Sequence, residues 1–314
     1  MTTSGPLAMA VVVVSLNTRD ILQKCLESVL AAAPAEMVVV DNRSTDGSPD
    51  LVRALFPSVR LIASDTNLGY GGAANRGIAA CSAPAVLLLN SDTVVAPDAL
   101  YALGGYLAER PRVAVVGPRL VKLDGSLQRS AFPFPSVLDT LIGESGMHLV
   151  VRRLPLLRER LYRTWSHTGA RRVPWVVGAA LAIRRSAFER VAGFDESYFM
   201  YGEEVDLCRR LERGGFETHF APVTTVVHRG QASTGNRTAS MRQRLLSQRR
   251  YLLRHESPRS AERVLGVLRT IAAARLLRDV VLLWLARDPE RRLRLCDSAA
   301  AWRTLLDERS LWKA

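Results

Sequence analysis

The chain has 314 residues, 48% hydrophobic and 23% charged, which allows one large core or two modest ones and excludes a disordered or fibrous protein. Its four cysteines, Cys25, Cys81, Cys208 and Cys296, form no CxxC pair; this argues against a disulfide framework or a zinc site and suits a reducing, cytoplasmic compartment. The formal net charge of +13 is concentrated at the C-terminal end, where residues 241–314 hold 17 Lys+Arg against 8 Asp+Glu.

Residues 9–16 form an apolar, β-branched strand, and Asn17 or Thr18 can cap the helix that follows, with Ile21, Leu22, Cys25, Leu26, Val29 and Leu30 on one face. The strand is too short, and too soon followed by a helix, to read as a signal peptide. Residues 37–40 are the next strand, ending in Asp41, followed by turn-rich Asn42-Arg43-Ser44-Thr45-Asp46-Gly47-Ser48 and a helix to about Phe56. A third strand over 59–63, a helix over 73–80 and a fourth strand over 86–89 continue the rhythm, so helical crossovers predict a mostly parallel α/β sheet.

From residue 113 the rhythm loosens. A short strand is expected over 113–116, loops and short helices covering the site over 122–173, a strand over 176–183, a helix over 203–213 stopped by Gly214-Gly215, and strands over 216–220 and 223–227. The sequence thus divides into an α/β domain, 1–240, and a basic helical extension, 241–314. In the extension Leu265, Leu268, Ile271, Leu276, Val280 and Leu283 recur at helical spacing among arginines, which fits either helices lying on an anionic membrane surface or helices packed on the main domain. The apolar stretch 280–286 is far below the roughly 20 residues that span a bilayer. No helix-turn-helix, RNP-type or zinc-finger motif accompanies the charge, so nucleic acid is not an expected partner, and no motif specifies an oligomeric state.

Several positions carry chemistry. Asp41, at a strand end, can accept a hydrogen bond from the imide N–H of uracil or thymine, whereas Asn42 and Asp46 read as turn formers. The segment Asn67-Leu68-Gly69-Tyr70-Gly71-Gly72-Ala73-Ala74-Asn75-Arg76-Gly77 places glycines around a helix start that favours a phosphate. It follows the third strand rather than the first, which argues against a Rossmann dinucleotide site. Asp92, in Asn90-Ser91-Asp92 after a buried strand, lies where open α/β sheets bind ligands, while Asp98 after Pro97 reads as a helix cap. A strand-end carboxylate beside a diphosphate implies a bridging Mg²⁺ or Mn²⁺, and His228, before a polar stretch, is the natural additional ligand. On the helix at 203, Glu204 shares a face with Leu207, Cys208 and Leu211 and is expected to point inward as a cap or general base, with Glu203 and Asp206 partly off that face.

These motifs in this order, beginning with Val12-Val13-Val14-Ser15-Leu16-Asn17 and ending with Gly193-Phe194-Asp195 through Val205-Asp206-Leu207, resemble family 2 glycosyltransferases of the GT-A fold, and among them the bacterial rhamnosyltransferases. The resemblance spans about residues 9–235. It implies an α/β GT-A fold with Ser15, Asn17, Asp41, Asn67, Gly71, Asn75, Asn90, Ser91, Trp175 and Gly178 on the donor side, Asp41 reading the base. It implies Mg²⁺ or Mn²⁺ on Asp92, the surviving acid of a DxD-like motif, and on His228. The catalytic base falls on Glu204, where the family usually has Asp, or on Asp206. Trp175-Val176-Val177-Gly178-Ala179 resembles the stretch lining the transferred sugar. The implied reaction is inverting transfer from a nucleotide-diphospho-sugar, with dTDP-L-rhamnose the plausible donor, to a glycan or polyprenyl-linked acceptor at the inner face of the plasma membrane. The rival readings are a nucleotidyltransferase, which would carry a basic phosphate loop after its first strand, and an inactive sugar-nucleotide-binding scaffold.

Overall fold

The computed structural model describes residues 5–147, 149, 153–154, 165–230 and 237–313. The described residues fall into two compact units, one drawn from Met1–Pro133 and Trp165–Ser233, the other from Phe134–Thr164 and Thr234–Ala314. The second unit therefore takes in an internal segment as well as the C-terminal helices. Residues 148, 150–152 and 155–164 of the expected cover over the site, and 231–236 of the polar stretch after His228, lie outside the described residues.

In the first unit, β1 (Met9–Ser15), β2 (Glu36–Asp41), β3 (Arg60–Ala63) and β4 (Ala85–Asn90) run parallel in the order β3-β2-β1-β4. Every residue of β1 is buried, as befits the middle of a sheet covered on both faces. Helices α1 (Arg19–Ala31), α2 (Ser48–Leu55) and α3 (Gly69–Ala79) make the crossovers. Helix α3 begins four residues before the expected start, because its glycines are admitted by close packing: a Cβ at Gly77 would overlap Val12 and Val40 on the sheet.

The sheet continues through β11 (Ala180–Arg184), antiparallel to β4, then β6 (Val113–Val121), β12 (Glu217–His228) and β5 (Thr93–Val95). Helix α4 (Ala99–Ala108) packs on this half. Asp98 stands at its N-cap position without a side-chain capping bond and instead accepts from Thr224 Oγ1 at 3.3 Å. Two sequence expectations change. The strand over 176–183 is broken, with β10 (Trp175–Val176) pairing β8 (Ala131–Phe132) in a separate ribbon, because Val177 N–H donates to the Ser130 carbonyl and the Gly178 carbonyl accepts from the Tyr70 hydroxyl. The two strands expected over 216–227 are one, β12, whose register against β6 shifts between Phe220 and Thr225, around Pro222, which has no N–H for a ladder. The short strands β7 (Leu127–Gln128) and β9 (Arg171–Val173) pair with β6 and β12, and α6 (Arg185–Arg190) and α7 (Glu203–Arg213) complete the unit.

The second unit comprises α5 (Val137–Glu144), α8 (Arg237–His255), α9 (Pro258–Leu285), α10 (Pro289–Asp307) and a terminal 3₁₀ turn. Its core joins Ala272, Trp302, Leu305 and Leu311. Asp279, fully buried in α9, accepts from Ser298 Oγ of α10 at 2.7 Å and pairs with Arg278, so these two helices are bolted together by a satisfied charge. Among the described residues no helix is long and apolar enough to cross a membrane. All four cysteines are free, three buried and Cys296 on α10 exposed. Burial pushes the Cys25 and Cys208 thiols up to about 12 and Cys81 up to about 11.

Candidate active site

Asp41 closes β2 with its carboxylate only 2% exposed. Its Oδ2 accepts from the Ser44 N–H at 2.8 Å, while Oδ1 is buried and without a hydrogen-bond partner. A buried acceptor left open costs stability unless a ligand donor fills it, and an imide N–H has the required polarity. The loops around it are laced together. Asn17, at a left-handed φ of 51°, donates its N–H to Ser44 Oγ at 2.8 Å and accepts from Thr45 N–H at 2.8 Å. Asp46 accepts from the N–H groups of Arg19 and Ser48, both at 2.9 Å; burial raises its pKa, but the bonds from Ser48 and Arg19 prevail and hold it below the usual carboxylate range. Asn42 binds Leu68 N–H, Asn67 Oδ1 and the Gly69 carbonyl, a turn-holding role in line with its sequence reading. Ser15, Thr18 and Ser91 form a hydroxyl chain at 2.9 Å per link, tying the end of β1 to the turn after β4, so Thr18 bonds here rather than capping α1.

The glycine-rich start of α3 is covered. Tyr70 N–H donates to the Phe199 carbonyl at 2.9 Å, and Gly69 N–H to Asn67 Oδ1 at 3.0 Å. Gly69 has φ +72°, and a Cβ there would overlap the Phe199 carbonyl. Gly71 lies against Phe194, and the Asn75 amide bonds Phe194 N–H, the Phe194 carbonyl and Glu196 Oε1. The expected open phosphate cradle is thus replaced by a seam between α3 and the 194–203 segment. Glycine spacing is the same for either purpose, and the sequence had no means of showing which chain would lie there.

Asp92 and His228 meet. Strand β12 aligns His228 with Thr93 of β5, setting His228 Nε2 3.3 Å from Asp92 Oδ1. The other ring nitrogen, Nδ1, lies 3.0 Å from Gln128 Oε1, a contact that fixes the plane of the ring and leaves Nε2 facing the carboxylate. One carboxylate oxygen beside one imidazole nitrogen is a donor pair that suits a divalent ion. Among the described residues no third His, Cys, Asp or Glu joins them, so an ion bound there would need its remaining ligands from elsewhere. Asn90, next to this pair, uses its backbone: its N–H donates to the Ala179 carbonyl at 3.0 Å and its carbonyl accepts from Thr93 Oγ1 at 2.7 Å.

Helix α7 buries the expected face, with Leu207, Cys208 and Leu211 inward, but it also buries a second side that was not expected. Glu203 and Asp206 are the buried acids, 5% and 0% exposed, and Glu204 is the partly open one. The apolar stripe used to orient the helix marks one buried face, but its first turn is also covered by α3 on the side of Glu203, which lies against Gly71. Asp206 pairs with Arg210 at 2.7 Å, and that guanidinium also bonds the Val191 carbonyl, so Asp206 is a structural anchor out of reach of a substrate. Glu204 accepts from Gly202 N–H at 3.1 Å and sits over Gly178, where a Cβ would lie 3.8 Å from its Oε1. Burial raises the Glu204 pKa, opposed in part by backbone bonds including those of Gly202 and Gly178. Burial and the neighbouring Glu204 charge raise Glu203 further, and its Oε2 has no hydrogen-bond partner. Tyr70 binds the group together: its hydroxyl donates to the Gly178 carbonyl at 2.7 Å, and burial followed by Glu203, Glu204 and Asp92 drives its pKa far up. Trp175 donates Nε1–H to the Pro133 carbonyl at 2.7 Å and packs its ring 5.2 Å from Phe132.

The sequence model described as Glycosyl transferase family 2 matches residues 10–191, more than half of the chain, and the model described as Glycosyl transferase family group 2 matches residues 156–287. The N-acetylglucosaminyl-diphospho-decaprenol L-rhamnosyltransferase of Mycobacterium tuberculosis is 36% identical over 253 residues, which are 74% of this chain and 79% of that protein. The chain is a family 2 glycosyltransferase. Rhamnosyltransferase WbbL of Escherichia coli K12 is 31% identical to this glycosyltransferase over 58% of the chain and 67% of its own length. Among solved structures, the mannosyltransferase PcManGT from Pyrobaculum calidifontis, in complex with GDP-Man and Mn²⁺, superposes with a TM-score of 0.58 at 19% identity over 99% of this chain and 86% of its own. GalNAc-T7 with UDP, GalNAc and Mn²⁺ gives 0.55 at 18% identity, over 76% and 48%. The mixed, mostly parallel sheet with C-terminal helices is that shared transferase fold. Tyr70, Gln128 and Glu203 join the candidate site without having been expected from the sequence. Tyr70 lay inside the glycine motif, and Glu203 beside the chosen base, but nothing local marks Gln128, which reaches His228 across 100 residues.

Proposed function

We propose that this glycosyltransferase moves L-rhamnose from dTDP-L-rhamnose to a hydroxyl of a polyprenyl-diphosphate-linked glycan, with inversion, in cell-surface polysaccharide synthesis at the cytoplasmic face of the plasma membrane. The observation that carries the choice of sugar and acceptor is the 36% identity across 79% of a rhamnosyltransferase named for a diphospho-decaprenol acceptor. In this reading the open Oδ1 of Asp41 takes the thymine imide N–H, and the laced 15–18 and 42–48 loops hold the nucleoside in place. Ser15, Asn17, Asn67, Asn90 and Ser91 shape that pocket; Gly71 and Asn75 act on it by holding the 194–203 segment.

Glu204 is the base. Its raised pKa makes it a stronger proton acceptor than a solvated carboxylate, and its partial opening lets an acceptor hydroxyl reach it. As Glu204 takes the proton, the acceptor oxygen bonds the anomeric carbon, the bond to the diphosphate oxygen breaks, and the electron pair leaves with dTDP. Asp92 and His228 would hold Mg²⁺ or Mn²⁺, which when bound neutralises charge growing on the leaving diphosphate. Trp175 and Gly178 face the transferred sugar on the same side as Glu204 in this reading.

The test is nucleotide-diphosphate release from a panel of dTDP-, UDP- and GDP-sugars, with and without Mg²⁺ or Mn²⁺. Metal-dependent turnover of dTDP-L-rhamnose that is lost in Glu204→Gln supports the reading. Turnover of another donor overturns the sugar, and a Glu204→Gln enzyme at wild-type rate overturns the mechanism.

A further inference from the structure

Helix α9 changes character along its length. Its first half buries Ala261, Val264, Leu265, Leu268 and Ala272 on one face and leaves Arg263, Gly266, Thr270 and Ala273 outward, an ordinary packed helix. In its last three turns the same outward face becomes apolar: Leu277, Val281, Trp284 and Leu285 lie within about 100° of one another at 100° per residue, and are 65%, 49%, 86% and 72% exposed. Leu293, at the start of α10, is 65% exposed as well. The inner face of these turns is still engaged through Asp279 and Ala286, so one side of the helix end is packed and the other is bare.

The tip is rigidly presented. Arg292 Nη1 binds the Leu283 and Ala286 carbonyls at 3.1 and 3.2 Å, closing the end of α9, and the Asp279–Ser298 bond holds α10 alongside. Arg278, Arg287, Arg291 and Arg294 are all exposed around it, Arg278 paired with Asp279 and Arg294 with Glu290, and they outnumber the exposed acids of the tip, Asp288 and Glu290. Apolar side chains at the level of an exposed tryptophan, ringed by arginines, match the layers of a bilayer surface: acyl chains, then the interface that Trp favours, then anionic headgroups. A second copy fits less well, because a two-fold pairing of the patch with itself brings the arginine ring against its own charge.

We propose that the end of α9 and the start of α10 form a membrane-docking surface for bilayers containing anionic phospholipid, with Trp284 and Leu285 inserted and the arginines on the headgroups. This deepens the membrane-face placement proposed above by naming the surface that makes the contact, and it does not depend on which donor or acceptor is used.

The test is sedimentation of the full chain with vesicles of phosphatidylcholine alone or mixed with phosphatidylglycerol. The wild type should bind the mixed vesicles, more weakly at high salt, and bind phosphatidylcholine alone poorly. Trp284→Ser, at a site too exposed to affect the core, should weaken binding about tenfold, and Leu277→Ser/Trp284→Ser/Leu285→Ser should abolish it. Wild-type binding in Trp284→Ser overturns the proposal, as does a wild type that ignores both vesicles. An oligomer dispersed by Trp284→Ser with vesicle binding intact would assign the patch to a second copy instead. A chain inactive on every donor that still loses vesicle binding in Trp284→Ser would sink the donor reading and leave this one standing.

Discussion

The loops that flank Asp41 and the cluster around Glu204 sit on one sheet and solve opposite problems. Around Asp41, nearly every polar group has a partner: Asn17, Asn42, Ser44 and Asp46 bind one another or nearby backbone, and Asp46 is held below its usual pKa. Around Glu204, carboxyl groups are buried with too few donors, so Glu203 and Glu204 are pushed up. Satisfied hydrogen bonds fix a shape, which suits recognition; unsatisfied buried acids store proton affinity, which suits catalysis.

The largest effect is expected at the base. Glu204→Gln should lower the transfer rate by roughly 10²–10⁴ with donor affinity kept, measured by nucleotide-diphosphate release beside calorimetric titration. The wild-type rate should also fall on acidification at a pH above the ordinary carboxylate range, because the raised pKa of Glu204 means its base form is lost sooner. Next, Gly69→Ala should destabilise the fold by about 3 kcal/mol, read as a lowered denaturation midpoint, since it strains a φ of +72° and strikes the Phe199 carbonyl. An unchanged midpoint would mean the seam between α3 and the 194–203 segment is looser than described. Gln128→Ala should raise the metal concentration for half-maximal activity about tenfold by releasing the His228 ring. Asp41→Asn should weaken donor binding by about tenfold, because an amide N–H₂ can face the base where an open acceptor stood.

The finest distinction concerns Glu203. A carboxyl with a raised pKa in the folded chain holds its proton where the unfolded chain has released it, so stability falls as pH rises from the unfolded value through the folded one. Glu203→Gln removes that titration. Denaturation curves across pH should therefore show the variant gaining on the wild type as pH rises above the ordinary glutamate range, and a constant difference would mean that Glu203 is charged in the fold.

Much of this was legible in the sequence, for reasons that differ by residue. Asp41 and Asp92 follow uninterrupted apolar runs, and a buried parallel strand puts its last residue at the ligand edge whatever the rest of the chain does. His228 stood out because it ends an apolar run ahead of a polar stretch, and the order of the motifs paired it with Asp92. The second buried side of α7 was not legible: Glu203 and Asp206 are buried by a seam and by Arg210, and a stripe of apolar residues carries no record of polar burial. The division of the chain was likewise hidden, because 137–144 has no compositional kinship with the C-terminal helices it joins, and Arg275 grips Glu144 across 131 residues.

The cysteines offer a practical consequence. Burial keeps the Cys25 and Cys208 thiols protonated up to about 12 and Cys81 up to about 11, and thiolates are the species that alkylate. Cys296 alone is exposed, on α10, three residues past Leu293. A maleimide dye at neutral pH should therefore attach once, without any engineered mutation, close to the bare end of α9, and its emission would report directly whether that end enters a lipid phase.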